Sequence, residues 1–301
     1  MRKSELVTEI LKLKRQKNAI ILCHNYQPPA IYDVADFIGD SLELSRRAAE
    51  TNSPLIVFCG VRFMAETAKL LNPDSKVVLA EPRAGCQMAD MISAAALREK
   101  RKELGDAVVL AYINTPADVK AESDICCTSA NAVKVANSLP AGRQILFVPD
   151  KNLALYVAHK TGRDIIPWEG FCYVHAFFTI KDVRRVRREH PGSFVVVHPE
   201  CPLEVIEAAD ECASTGGMYR LARQHRSMVL GTEAGMCQRI RRDFPNNECF
   251  PLRRTALCRN MKLTTLDKVL AALVGEVEEV TVPPEVAARA RAAIERMLAV
   301  V

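Results

Sequence analysis

Three cysteines in this 301-residue chain, Cys86, Cys172 and Cys258, stand 86 residues apart. Zinc sites usually carry paired C-x-x-C spacing, which the sequence lacks. The tight cysteine runs of ferredoxins are missing as well. Three single thiolates could still hold a 4Fe–4S cluster with one iron left open, able to act as a Lewis acid on a substrate oxygen. The competing reading is three buried thiols at equivalent core positions. The loop-like contexts RAGCQMAD (83–90) and LCRNMK (257–262), just after strand-like runs, weigh against it.

Polar residues recur on the same scale. HNYQPPAIYDVADFIGDS from His24, YINTPADVKAESDICCTS from Tyr112 and HPECPLEVIEAADECAST from His198 share one skeleton. Each has proline four places in (Pro28, Pro116, Pro202), aspartate at twelve (Asp36, Asp124, Asp210) and a hydroxyl residue at seventeen (Ser41, Ser129, Thr215). The positions that differ hold His24 and Tyr26, then Tyr112 and Asn114, then His198 and Glu200. Together these are proton donors, acceptors and one carboxylate, suited to acid–base chemistry on a polyfunctional substrate. A lone histidine is more often structural; the constellation carries the reading.

Ser41, Ser129 and Thr215 stand where helices are expected to begin. Such ends offer free N–H groups, a positive dipole end and a capping hydroxyl, and three of them converging would suit a ligand with several negative groups. The bland alternative is that the hydroxyls are only N-caps. The repeated aspartates read as turn-fixing residues making Asx hydrogen bonds.

The elements that must position these groups are short. AIILC (19–23), AVVLA (107–111) and FVVV (194–197) each lead into a corner. LIVFC (55–59), ILFV (145–148) and MVL (228–230) follow, then KVVLA (76–80), DIIPW (164–168) and ECFPL (248–252). Unalternating β-branched runs separated by helical patterns predict parallel strands buried on both faces, joined by right-handed crossovers. The expected fold is α/β: three similar αβα sandwich domains with parallel sheets, related by pseudo-threefold symmetry around a central active site. The expected bounds are an N-terminal helix at 1–18, repeats at 19–104, 105–190 and 191–275, and a C-terminal helix in 276–301.

Composition limits the remaining classes. Nearly half the residues are apolar, and no apolar run reaches the roughly 18 residues of a membrane span. The charged start MRKSELVTEILKLKRQKN lacks a signal-peptide core, so a cytoplasmic protein is expected. Basic residues exceed acidic ones by 41 − 36 = 5, densest in RRVRREH (184–190) and RIRRDF (239–244). Without interleaved aromatics or a binding motif these read as solvated helix faces, not a nucleic-acid surface. Eleven cysteines in such a chain do not suggest a disulfide framework. Cys23, Cys59 and the vicinal Cys126–Cys127 read as packing residues, the last pair with an oxidation-sensitive alternative. Cys201, Cys212, Cys237 and Cys249 carry no assigned role. Trp168 could shield a metal centre or fill the core, Glu233 could line the cavity or form a salt bridge, and Met64 could touch substrate or belong to the core.

HNYQPPAIYDVADFIGDS, GCQMADM, CCTSANA, PDKNLA, WEGFCYVH, VHPECP and CRNMK, in this order, closely resemble the quinolinate synthase (NadA) family, from about His24 to Lys268. The resemblance implies three αβα domains around a buried site. It implies condensation of iminoaspartate with dihydroxyacetone phosphate, with loss of phosphate and two waters, to quinolinate for NAD biosynthesis. It implies a 4Fe–4S cluster on Cys86, Cys172 and Cys258. His24, Ser41, Asn114, Ser129, His198 and Thr215 would bind substrate, and Tyr26, Tyr112 and Glu200 would transfer protons. A functional link to an iminoaspartate-producing enzyme would follow. Two departures stand out: Arg259 replaces the proline of many relatives, and the C-x-x-C-x-x-C run that some carry is absent, so redox control through it is not expected. Alternatives left open are another 4Fe–4S hydro-lyase acting on a polycarboxylate and an iron–sulfur redox sensor.

Overall fold

A computed structural model describes residues 2–300; Met1 and Val301, at the outer ends of the expected segments 1–18 and 276–301, lie outside the described residues. Among the described residues, the strands form three four-stranded parallel sheets. The first has β1 (Ala19–His24), β2 (Phe37–Gly39), β3 (Leu55–Cys59) and β4 (Lys76–Leu79) in the order β2-β1-β3-β4. The second has β5 (Val108–Tyr112), β6 (Ile125–Cys127), β7 (Ile145–Val148) and β8 (Ile165–Pro167) in the order β6-β5-β7-β8. The third has β9 (Phe194–Val197), β10 (Glu211–Cys212), β11 (Ser227–Gly231) and β12 (Glu248–Pro251) in the order β10-β9-β11-β12. Central strands such as Ile20–Cys23, Val108–Tyr112 and Val195–Val197 are buried along their length, as unalternating apolar runs require.

The edge strands β2, β6 and β10 escape the sequence pattern because they are only two or three residues long. The repeated aspartates build them. Asp36 accepts the Ile21 N–H (2.8 Å) and returns its own N–H to the Ile21 carbonyl (2.9 Å). Asp124 does the same with Val109 (2.8 and 3.0 Å) and Asp210 with Val195 (2.7 and 2.8 Å). The bond therefore reaches into the neighbouring strand and adds a rung to the ladder, in place of the expected local Asx turn. A cation from the preceding helix neutralises each: Lys14 (2.8 Å), Arg101 (2.6 Å) and Arg187 (2.9 Å).

Pro28, Pro116 and Pro202 immediately precede the short helices Pro29–Tyr32, Ala117–Ala121 and Leu203–Ala208, where a missing N–H costs no intrahelical bond. The next helices correct the capping expectation. Asp40 caps Ser41–Glu50, accepting the N–H groups of Leu42 and Glu43 (both 3.0 Å), and Ser214 caps Thr215–Leu221. Ser129 lies in the turn before Asn131, which precedes Ala132–Ser138. Ser41, Ser129 and Thr215 are thus not caps, and their hydroxyls are spared that duty.

Helices Ala94–Leu104, Ile180–Glu189 and Leu266–Val274 begin 86 residues apart (94, 180, 266). The first two lead into the second and third sheets. The third folds back onto the first sheet, where Leu266, Val269 and Leu273 pack with Ile21, Cys23, Val57 and the N-terminal helix residues Leu6 and Ile10. The C-terminal helix Pro284–Ala299 buries Ala290, Ala293, Ile294 and Met297 against helix Ala117–Ala121, β6 and helix Arg62–Leu71. Both basic runs are helical: Arg187 pairs with Asp210, Arg239 with Asp243 (2.8 Å) and Arg242 with Asp33 (3.1 Å). Among the described residues, no helix is long and apolar enough to cross a membrane.

Candidate active site

The carboxyl-end corners of β1, β5 and β9 line one cavity of about 80 Å³, room for several water-sized groups. The first corner contributes His24, Tyr26 and Ser41, the second Tyr112, Asn114 and Ser129, and the third His198, Glu200 and Thr215. Cys86, Cys172 and Cys258 line the same cavity, so the three thiols and the nine corner residues meet there. Met64 lines it too. The Asn114 side-chain oxygen is buried with no protein partner, an acceptor position aimed at nothing the chain supplies.

A hydrogen-bonded chain joins the two tyrosines across all three repeats. Tyr26 Oη lies 2.5 Å from Thr232 Oγ1, which lies 2.9 Å from His175 Nε2. His175 Nδ1 is 2.6 Å from Glu200 Oε2, and Tyr112 Oη donates to Glu200 Oε1 (2.6 Å). With Glu200 ionised, Nδ1 must carry hydrogen, so Nε2 accepts from the Thr232 hydroxyl and Thr232 accepts from Tyr26. The order of donors is consistent from end to end.

Burial alone would raise the Glu200 carboxyl, but the imidazoles of His175 and His198 beside it and the hydrogen bonds from His175 and Tyr112 outweigh it and hold the carboxyl well below its ordinary range. Glu200 is therefore a held anion, and it is a weaker base than a free glutamate. The two corner histidines are set alike. His24 Nδ1 accepts the N–H of Tyr26 (3.2 Å), and His198 Nδ1 faces the N–H of Glu200 (3.4 Å), which turns each Nε2–H inward. Burial pushes both rings down to about 3, so they donate hydrogen bonds without charge. His198 Nε2 lies 3.2 Å from Ser129 Oγ, and Asn25 donates to Thr215 Oγ1 (3.2 Å) across the seam between the first and third repeats.

The cysteine loops are anchored alike. The N–H groups of Arg62, Lys151 and Ala234 bond the carbonyls of Ala84, Gly170 and Ala256 (2.8, 2.9 and 2.8 Å), each two residues before a cysteine. A side chain at Gly170 would collide with the Pro149 carbonyl, which fixes glycine there. Buried Asp150 accepts the Cys172 N–H (3.2 Å), and Glu233 accepts that of Cys258 (3.3 Å). Glu233 does not line the cavity; it pairs with Lys262 (3.0 Å), which also donates to the Tyr26 carbonyl. Trp168 Nε1 donates to the Met91 carbonyl (3.0 Å), joining the second repeat to the first.

The three thiols share one set of surroundings. Nearby backbone N–H groups ease ionisation of each thiol, those of Met88 and Ala89 at Cys86, of Val174 at Cys172 and of Met261 at Cys258, and Cys172 Sγ lies 3.2 Å from His175 Nδ1. Burial pushes all three thiols up, Cys86 to about 12, and Cys258 and Cys86 further oppose ionisation of Cys86 and Cys172 respectively. Donors that favour thiolates, set against burial and mutual repulsion, make a donor set that a soft cationic metal centre completes. It fits such a group. All eleven cysteines are free thiols. Separately, Cys172, His175 and Glu200 offer ligand atoms within 4.8 Å of one another, enough to hold a metal. His175 and Glu200 are committed to each other and to the relay, so Cys172 is the point where thiol set and relay meet.

Sequence reasoning missed His175 and Thr232. The repeat could not flag them: Ala89 and Met261 occupy the positions equivalent to His175, and Gly60 and Pro149 those equivalent to Thr232. The available signal was WEGFCYVH, with a histidine three residues after Cys172.

The family model described as quinolinate synthetase A protein matches residues 8–299. The chain is 51% identical over 297 residues to the quinolinate synthase of Desulforudis audaxviator, covering 98% of each. It is 53% identical over 296 residues to that of Methanoregula boonei, covering 98% of each. It is 50% identical over 296 residues to that of Pyrococcus furiosus, covering 98% of this chain and 97% of the other.

Proposed function

The chain belongs to the quinolinate synthetase A family, and from that premise we propose that it condenses iminoaspartate with dihydroxyacetone phosphate to form quinolinate, with loss of phosphate and two waters, for NAD biosynthesis. The observation that carries this reading is the meeting of three thiols and a five-residue proton relay at one cavity. Ser41, Ser129, Thr215 and Asn114, with the neutral Nε2–H groups of His24 and His198, receive carboxylate and phosphate oxygens. Tyr26 takes a proton from the substrate after passing its own to Thr232, whose hydroxyl proton moves to His175 Nε2. Glu200 balances the charge that this places on the imidazole. Tyr112, at the other end, gives or regains a proton from the Glu200 side. Cys86, Cys172 and Cys258 would hold a 4Fe–4S cluster, which when bound supplies an open Lewis-acidic iron for a substrate oxygen.

The free thiols suit the cytoplasm, where we place the reaction. Iminoaspartate is a hydrolysable imine, so coupling to the enzyme that produces it is part of the proposal. The repeats at 19–104, 105–190 and 191–275 are proposed as the domains, with helix Leu266–Val274 shared with the first. The test is anaerobic purification followed by a quinolinate assay with both substrates. Formation of quinolinate is expected; a brown protein that forms none overturns the reading, leaving another hydro-lyase or a sensor.

A further inference from the structure

Resting on the functional reading above, we infer that Lys120 is a positioning residue for the second corner, acting through Thr115 to hold the backbone that presents Tyr112 and Asn114 to the cavity. Lys120 sits on the short helix Ala117–Ala121, fully buried and outside the cavity lining. Its Nζ donates to the Thr115 carbonyl. Helix geometry would give that carbonyl the Val119 N–H, four residues on, but Val119 donates to Asp118 Oδ1 instead (2.8 Å). The lysine supplies the missing donor. Thr115, also fully buried, passes the restraint on, because its Oγ1 donates to the Tyr112 carbonyl (3.1 Å). The two bonds close a strap around Asn114, whose side-chain oxygen has no protein partner and is free to receive substrate.

Packing alone does not explain a buried ammonium. Among the described residues Lys120 has no ion-pair partner, and Glu66, on helix Arg62–Leu71, spends its oxygens on Arg62 and on the Ala117 N–H (both 3.1 Å). A buried charge without a counter-ion is destabilising, and an apolar side chain of similar length would fill the space without that penalty. The Lys120 ammonium instead faces the Phe63 ring, 5.6 Å from its centre, and Phe63 lines the cavity. Lys120 therefore joins the second corner to the cavity wall supplied by the first repeat. Tyr32 and Ile206 stand at the equivalent place, eight residues into their corners. Tyr32 Oη donates to the Asn25 carbonyl (2.7 Å), and the Asn25 side chain reaches Thr215, so the first repeat has a strap of its own. Ile206 has no donor to offer.

The test compares Lys120→Met, which keeps the length of the side chain and removes the donor, with Ile294→Ala, which weakens the packing of the C-terminal helix on the same short helix. Both are assayed as anaerobically reconstituted holoprotein, with rates expressed per loaded cluster. Lys120→Met should raise the KM for at least one substrate by about tenfold, the size of one lost hydrogen bond at Asn114, and should lower kcat as Tyr112 loses its alignment. Ile294→Ala should leave both constants unchanged, because lost stability removes active chains and not affinity. Thr115→Val cuts the strap at its second bond and should reproduce the Lys120→Met pattern, while Thr115→Ser restores wild-type behaviour and the double variant Lys120→Met with Thr115→Val adds little. If Lys120→Met does not fold, the two Thr115 variants decide by the same criteria. Deuterium exchange supplies a readout that needs no substrate: Lys120→Met should speed exchange over residues 113–115, and Ile294→Ala should not. Wild-type constants and exchange in Lys120→Met, or equal changes in Ile294→Ala, overturn the inference and leave the functional reading standing. A wild type that forms no quinolinate overturns that reading, and exchange at the corner then decides the inference.

Discussion

Glu200 divides its two carboxylate oxygens between Tyr112 and His175, so Glu200→Gln would keep one acceptor and set an amide N–H against the His175 N–H. Turnover should fall by ~10²-fold or more, with the iron content unchanged. A fully active variant removes Glu200 from the mechanism. Thr232 tests the relay independently: Thr232→Val deletes the hydroxyl between Tyr26 and His175, whereas Thr232→Ser retains it. The valine variant should lose ~10²-fold in kcat and the serine variant only a small factor, as steady-state rates will tell. Equal rates for both would break the relay. At this scale the sequence disclosed residues that recur at matched corners. His175 and Thr232 have no polar counterparts in the other repeats, so repetition was blind to them.

The aspartate rung is the clearest property of an element. Burial pushes the Asp210 carboxyl up, but the Arg187 hydrogen bond and the Val195 N–H outweigh it and hold the group below its ordinary value. A carboxyl depressed in the folded state contributes stability above the unfolded value of ~4, which is lost as pH falls through the lower folded value. Asp210→Asn should therefore flatten the dependence of stability on pH below about 4, as urea midpoints measured across that range would show. An unchanged slope would place the acid sensitivity elsewhere. The C-terminal helix makes a second case. Ile294 is fully buried against the second sheet's flank, and Ile294→Ala should lower stability by about 2–5 kcal/mol, read from the urea midpoint. No change would mean that the helix is not docked as described. Long central strands were legible because β-branched runs without alternation have few other uses. The edge strands were not, because Glu211–Cys212 and its counterparts owe their pairing to an aspartate carboxylate and not to their own side chains.

Over the whole molecule, the 86-residue interval closes into a ring. Among the described residues there is no fourth sheet for helix Leu266–Val274 to lead into, and it returns to the first, packing beside the N-terminal helix. The seam between the first and third repeats is tight: Asp40 Oδ2 accepts the Ser214 hydroxyl (3.0 Å) and the Gly216 N–H (3.3 Å), and a Cβ at Gly216 would lie 2.6 Å from it. Ring closure is what turns three unremarkable polar corners into one cavity. The interval implied three similar units, but the direction of closure depends on packing that no periodicity encodes. The proposed chemistry requires thiols from three distant segments to share one metal centre. Iron content of anaerobically reconstituted protein, compared among wild type, Cys86→Ala, Cys172→Ala and Cys258→Ala, tests this most directly. Wild type should carry roughly four irons per chain and each variant almost none; a full complement of iron in any one variant would contradict it.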